Sequence, residues 1–145
     1  MKALIQRVSQ ASVSVGGDIA GEIALGLLVF LGVDKQDDET KATQLADKLM
    51  SYRVFADDHG RMNLSLLDAG AELLVVSQFT LSADTKKGTR PSFSSAAEPE
   101  VAEQLYNQFV ADCANKVARI QTGQFGADMQ VSLVNDGPVT FLLEV

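Results

Sequence analysis

Two short polar islands hold the side chains of this chain best placed for chemistry. Ser77-Gln78-Phe79-Thr80-Leu81 follows directly on the apolar run Leu73-Leu74-Val75-Val76. Asn135-Asp136-Gly137-Pro138-Val139-Thr140 sits between two strand-like runs, residues 129–134 and 139–145. In the first island two hydroxyls and an amide stand where a buried strand stops, and a strand end is where backbone N–H groups leave the ladder and become available to a ligand. Such groups can form an oxyanion hole without a charged side chain. Thr80 can be drawn as a nucleophile, but no base is visible to activate it. The plainer reading is that Ser77 and Thr80 satisfy local backbone at the strand end. In the second island Pro138 cannot donate a ladder hydrogen bond and pushes its neighbour toward extended geometry, so Gly137-Pro138 should form a rigid corner between the last two strands. Read alone, Asn, Asp, Gly and Pro together spell a hairpin turn.

Ordinary catalytic machinery is nearly missing. A serine-histidine-acid triad needs a histidine, and the one present, His59, sits in the polar turn Asp57-Asp58-His59-Gly60. One His and one Cys cannot supply a zinc site of the usual type, so no metal ligand is assigned. Residues 21–32 lack the glycine spacing of a dinucleotide loop and have no following Lys-Ser or Lys-Thr, so no cofactor is expected. The carboxylates fall mostly in helix starts, turns and exposed helix faces.

The elements that must position the islands read as strands with two helices. Residues 4–9 and 11–15 alternate as strands, Gly16-Gly17 turns the chain, and residues 19–23 run back. Residues 27–33 are continuously apolar and short, as in a central strand covered on both faces. Asp37 and Asp38 offer N-cap oxygens to a helix that buries Ala42, Leu45, Ala46 and Leu49 and ends near Tyr52. A short strand over 53–56 and another over 73–78 follow. Residues 82–97, rich in Ser, Thr, Lys, Gly and Pro, read as a long loop, and long loops in compact domains are often functional. Pro99 opens a second helix with Val101, Leu105, Phe109 and Cys113 at four-residue spacing, which makes Cys113 a packing residue. The fold class is α+β.

With 145 residues and 46% hydrophobic composition, the chain has the length of a single domain, 1–145, and can bury a substantial core. No signal peptide is recognisable and no apolar run approaches the ~20 residues of a membrane span, so the expected location is cytoplasmic. The lone Cys113 excludes an internal disulfide framework. A net charge of −7 argues against a broad phosphate-tracking surface. It leaves room for a local grip on nucleic acid. Lys86, Lys87 and Arg90 make one basic cluster in the loop after the Ser77 strand, although a solvated loop has the same composition.

The two islands, with Lys87-Gly88-Thr89-Arg90-Pro91-Ser92-Phe93 and Gly123-Gln124-Phe125-Gly126-Ala127-Asp128-Met129, resemble the signature segments of the D-aminoacyl-tRNA deacylases. The resemblance runs the whole chain, from Ala3-Leu4-Ile5-Gln6-Arg7-Val8 to the last strand. It implies layers of sheet on sheet with both helices on one outer face, and a homodimer acting on the 3′ acceptor end of aminoacyl-tRNA. The implied reaction is hydrolysis of the ester between a D-amino acid and the terminal ribose, a proofreading step in translation. An aminoacyl ester is already activated, so positioning a water and stabilising the oxyanion suffice, with the neighbouring ribose hydroxyl able to assist.

On the same resemblance Ser77, Gln78, Phe79 and Thr80 are the catalytic strand motif, and Phe125 is the aromatic residue of the glycine-rich segment. Gly137-Pro138 is implied to be a cis peptide inserted into the partner subunit's active site, where it leaves room for hydrogen on the α-carbon but none for an L side chain. Glycyl-tRNA should then be cleaved as well. Arg7 either holds that corner through its carbonyls or faces solvent on an edge strand. Two other readings stay open: an inactive module that binds an aminoacyl end or a D-amino acid, and a dimeric β-rich interaction protein whose Gly137-Pro138 corner docks into a partner.

Overall fold

The computed structural model describes residues 1–145. Strand β1 (Lys2–Val15) is the spine of a six-stranded sheet. Gly16-Gly17 reverses the chain into β2 (Asp18–Ile23), with Val15 opposite Asp18 and both glycines at positive φ. Strand β3 (Gly26–Gly32) then returns along the first half of β1 on that same edge, Lys2 opposite Gly32 and Val8 opposite Gly26. The two segments read as separate strands in the sequence are one 14-residue strand, because β2 and β3 cover its two halves in turn.

From β3 the chain crosses over through α1 (Glu39–Ser51) and the hairpin β4 (Phe55–Ala56) and β5 (Met62–Leu64) to β6 (Glu72–Ser77), which lies parallel to β3. A second crossover through α2 (Pro99–Ala114) delivers β7 (Ile120–Thr122), parallel to β6. Both crossovers step the same way across the sheet, and the usual right-handed sense then puts both helices on one face. They pack on each other there: Thr43 donates to Asp112 at 2.8 Å, and Lys116 pairs with Asp47. The parallel pairing and β7 were not legible in the sequence, which offered no separate signal for a three-residue strand.

The sheet is covered on both sides. Leu27, Val29 and Leu31 of β3, with Leu73 and Val75 of β6, face the helices and join Leu45, Leu49, Leu105 and Phe109 in the main core. The intervening Leu28, Leu74 and Val76 face the opposite way and join Val8, Val13 and Ile23 in a second core. That alternation explains the unbroken apolar runs, since a strand covered on both faces has no polar side. The second core closes because the sheet curls back on itself. Gly21 of β2 lies so near β7 that a Cβ there would stand 2.8 Å from the Thr122 carbonyl oxygen.

Helix α1 is capped as its sequence predicts, the Asp38 carboxylate accepting the Lys41 N–H at 2.9 Å. Asp37 does something else. It is buried, and its carboxylate accepts the Met1 ammonium at 2.7 Å, the Asp34 N–H at 2.7 Å and Lys41 Nζ at 3.2 Å. In α2, Leu105, Phe109 and Cys113 are buried as their spacing requires, but Val101 is exposed and Ala102 takes the inward place in the first turn. Burial pushes the Cys113 thiol up to about 12. No helix is long and apolar enough to cross a membrane. The architecture is α+β, a curled antiparallel-rich sheet with both helices outside one face.

Candidate active site

Strand β6 ends at Ser77, and the chain tightens at once into a single 3₁₀ turn, Phe79–Ser82. The Gln78 N–H still completes the ladder, donating to the Leu31 carbonyl at 2.8 Å. The next amides, of Phe79 and Thr80, open the turn and have no acceptor within it, as the first donors of any helical turn do not. The Gln78 side-chain amide donates to Thr80 Oγ1 at 2.6 Å, which fixes both side chains against each other.

Ser77, Gln78, Phe79 and Thr80 all line a cavity of about 500 Å³. Phe125 and Met129 line it from the glycine-rich segment, Leu31 and Val33 from the end of β3, and Ala102 and Tyr106 from α2. Phe125 packs on Tyr106 with ring centroids 5.7 Å apart. Tyr106 is the wall residue that the helical stripe in the sequence did not single out; only its place one turn beyond Ala102 could have marked it. Its hydroxyl donates to the Val75 carbonyl at 3.0 Å, and burial raises its pKa to about 12. Tyr106 is the cavity's one titratable side chain, and it stays protonated at any ordinary pH. His59 lies on an exposed turn where its N–H donates to Asp57, and it does not line the cavity. No group of three or more His, Cys, Asp or Glu side chains is placed to hold a metal ion.

Gly137, Pro138 and Arg7 form a second cluster that does not line this cavity. A hairpin at Asn135–Thr140 is overturned: the two runs flanking the island belong to one strand, β8 (Gln130–Glu144), and both pair with β1 in the same direction. Gln130 to Val134 lie opposite Ser14 to Gln10, and Thr140 to Glu144 lie opposite Gln6 to Lys2. Between them the register slips twice, so residues 136–138 bulge from the ladder and are exposed. The Asn135 side chain closes the bulge at its base, its oxygen accepting the Val139 N–H at 3.0 Å and its amide donating to Thr140 Oγ1 at 3.0 Å.

The Gly137-Pro138 peptide is cis, and Gly137 has φ +135°. A Cβ at Gly137 would stand 2.7 Å from Val139 Cγ2 and 3.3 Å from an Arg7 guanidinium nitrogen. Arg7 does not face solvent. Its Nε donates to the Asp136 carbonyl at 3.2 Å and pairs with the Asp136 carboxylate at 3.3 Å, while Nη1 donates to the Val54 carbonyl at 2.6 Å. The guanidinium thus ties the bulge to the segment that follows α1.

The α+β fold thus sets, at the end of β6, a cavity with no charged side chain, lined by the Ser77 and Thr80 hydroxyls and the Gln78 amide beside the Phe79 and Thr80 backbone N–H groups. The chain belongs to the D-Tyr-tRNA(Tyr) deacylase family, hydrolases of the aminoacyl-tRNA ester, whose sequence profile matches residues 4–144. D-aminoacyl-tRNA deacylases from Histophilus somni (strain 2336) and Escherichia coli O1:K1 / APEC are 62% and 59% identical to it over 145 residues, covering all of both chains. Among solved structures it is similar to the c-Myc DNA Unwinding Element Binding Protein, with TM-score 0.95 and 41% identity over 100% of this chain and 99% of that one. A probable eukaryotic D-amino acid tRNA deacylase shares the fold, with TM-score 0.86 and 15% identity over 99% of this chain and 98% of that one.

Proposed function

We propose that this chain is a chiral proofreading hydrolase that cleaves D-aminoacyl-tRNA and glycyl-tRNA while sparing L-aminoacyl esters. One observation carries the reading: the cavity that gathers Ser77, Gln78 and Thr80 holds no side chain able to act as a base near neutral pH. Such a site suits a substrate whose ester is already reactive. Water adds to the carbonyl carbon, the Phe79 and Thr80 amides hold the developing oxyanion, and the bond to the ribose oxygen breaks. The proton lost by the water ends on the ribose oxygen, with the adjacent ribose hydroxyl as relay. Thr80 positions groups through its bond to Gln78 and does not attack. Phe125 and Tyr106 flank the terminal adenosine.

Chirality is read by the bulge of a second copy. The exposed Gly137-Pro138 corner lies outside its own chain's cavity, and β8 pairs only with β1, leaving its outer edge with exposed Val134, Phe141 and Leu142 for a partner. Inserted into the partner's cavity, the corner is a rigid wall beside the α-carbon. It admits hydrogen, so D-residues and glycine fit, and an L side chain is rejected by clash. The enzyme works as a homodimer in the cytoplasm, where charged tRNA is used, and needs no cofactor.

The test is amino-acid release from matched D-tyrosyl-, L-tyrosyl- and glycyl-tRNA by purified protein in chelator. Loss of the D and glycyl esters with the L ester intact is expected. Equal loss of D and L esters would remove the chiral filter from the proposal. Binding without loss of any ester would make the chain an inactive module.

A further inference from the structure

The loop between β6 and α2 is a built feature beside the cavity. Its neck is an antiparallel bridge, Asp84 N–H donating to the Ser92 carbonyl at 2.7 Å and Ser92 N–H to the Asp84 carbonyl at 3.1 Å. The Asp84 carboxylate is occupied inside the loop, accepting the Lys86 N–H at 2.9 Å, and Gly88 at φ +71° turns the tip. The base of the loop is pinned to the 3₁₀ turn by Ser95, whose hydroxyl donates to the Ser82 carbonyl at 2.7 Å.

Two properties of this loop are unexplained by the hydrolytic site itself. Phe93 stacks on Phe79 at 4.7 Å and 26°, yet the two residues remain 38% and 52% exposed. Aromatic side chains of a stable core do not stand in water in pairs, and Phe79 is also a wall of the cavity. Second, Lys86, Lys87 and Arg90 make no ion pair and no side-chain hydrogen bond; Lys35 and Arg61 are likewise unpaired but stand singly, whereas here three such cations fall within five residues of one loop. On a chain of net charge −7, three unpaired cations on one loop are a local reversal of sign.

We propose that the Phe79–Phe93 stack together with Lys86, Lys87 and Arg90 is a rim subsite for the unpaired nucleotides immediately 5′ of the terminal adenosine. This rests on the hydrolytic reading above. A cavity of about 500 Å³ has the size of one small-ligand site, so a terminal nucleoside with its amino acid fills it and the preceding nucleotide lies outside. An exposed aromatic face takes a base of any identity by stacking, and free cations take the phosphates beside it. The subsite reads single strandedness and charge, not sequence.

The experiment compares two substrates, D-tyrosyl-tRNA and the D-tyrosyl ester of adenosine alone, for wild type, Phe93→Leu, Phe93→Tyr and the triple variant Lys86→Ser/Lys87→Ser/Arg90→Ser. Wild type should show the higher kcat/KM on the tRNA ester. Phe93→Leu should lower the ratio of kcat/KM between long and short esters about 5- to 10-fold, through KM, and Phe93→Tyr should restore it. The triple variant, confined to exposed loop side chains, should make the slope of log(kcat/KM) against log[salt] for the tRNA ester shallower by about 2, at roughly 0.7 per cation on a single strand. Equal effects on both substrates, or an unchanged salt slope, would overturn the subsite while leaving the deacylase reading intact. Failure of wild type to cleave either ester would bring down both.

Discussion

At the residue scale, the proposed site is a cavity with no base, suited to a substrate whose ester is already reactive. Its polar groups are the hydroxyls of Ser77 and Thr80, the Gln78 amide and backbone, and its only titratable side chain is Tyr106. Burial raises Tyr106 from 10.0 to about 12. The folded state therefore holds that proton more tightly than the unfolded one, so its contribution to stability is whole below pH 10 and is lost as pH rises toward 12. Throughout the working range Tyr106 is a neutral donor to the Val75 carbonyl. The expected pH–rate profile for D-tyrosyl-tRNA is accordingly plain. Between pH 6 and 9 it should show no inflection beyond that of the substrate's own α-ammonium, which titrates near 8. A bell with two limbs in that window would mean that a side chain outside the cavity serves as base.

At the scale of elements, the bulge in β8 is the feature with most at stake. A proline in a strand cannot join the ladder, and here the strand accommodates it by two slips of register against β1, with Asn135 bridging the gap and Arg7 fastening the exposed turn. Arg7→Met keeps the side-chain stem and removes the hydrogen bonds to Asp136 and Val54. The expected result is hydrolysis of L-tyrosyl-tRNA raised about tenfold relative to the D ester, the factor that about 1.4 kcal/mol of lost positioning represents. Parallel kinetics on the two esters check it. A fall in D-ester activity with the D-to-L ratio unchanged would show that Arg7 supports the fold alone.

At the scale of the whole molecule, buried Asp37 gathers the start of β1, the chain entering α1 and, through Lys41, the helix itself. The same corner meets the end of β8, where the Val145 N–H donates to the Met1 carbonyl at 3.2 Å. Removing one partner of a buried ion pair leaves the other charge uncompensated, which costs about 3–5 kcal/mol. Asp37→Ala should lose stability on that scale in urea unfolding, with the slope of the transition unchanged. A change under 1 kcal/mol would mean that water reaches the Met1 ammonium. The variant should leave the intrinsic chemistry of the cavity alone, since Asp37 lines no part of it.

Both helices, the central strands and the polar islands were legible in the sequence, because period-two alternation, unbroken apolar runs, an Asp cap and a helix-opening proline are local signals. Residues 27–33 read as a doubly covered strand, and 73–78 as another buried one, for the same reason that Leu27 and Leu28 lie in different cores. The sequence also carried the island whose cis Gly137-Pro138 peptide stands exposed on β8, through resemblance of its motif, since composition alone spelled a hairpin. Three features emerge on folding alone: both halves of β8 share one partner, β3 and β6 run parallel, and Tyr106 and Met129 complete the wall around Ser77 and Thr80. The physical reason is separation along the chain. Pairing partners and cavity walls are chosen by crossover direction, sheet curl and packing between segments tens of residues apart, and no local pattern encodes which of several compatible strands will meet.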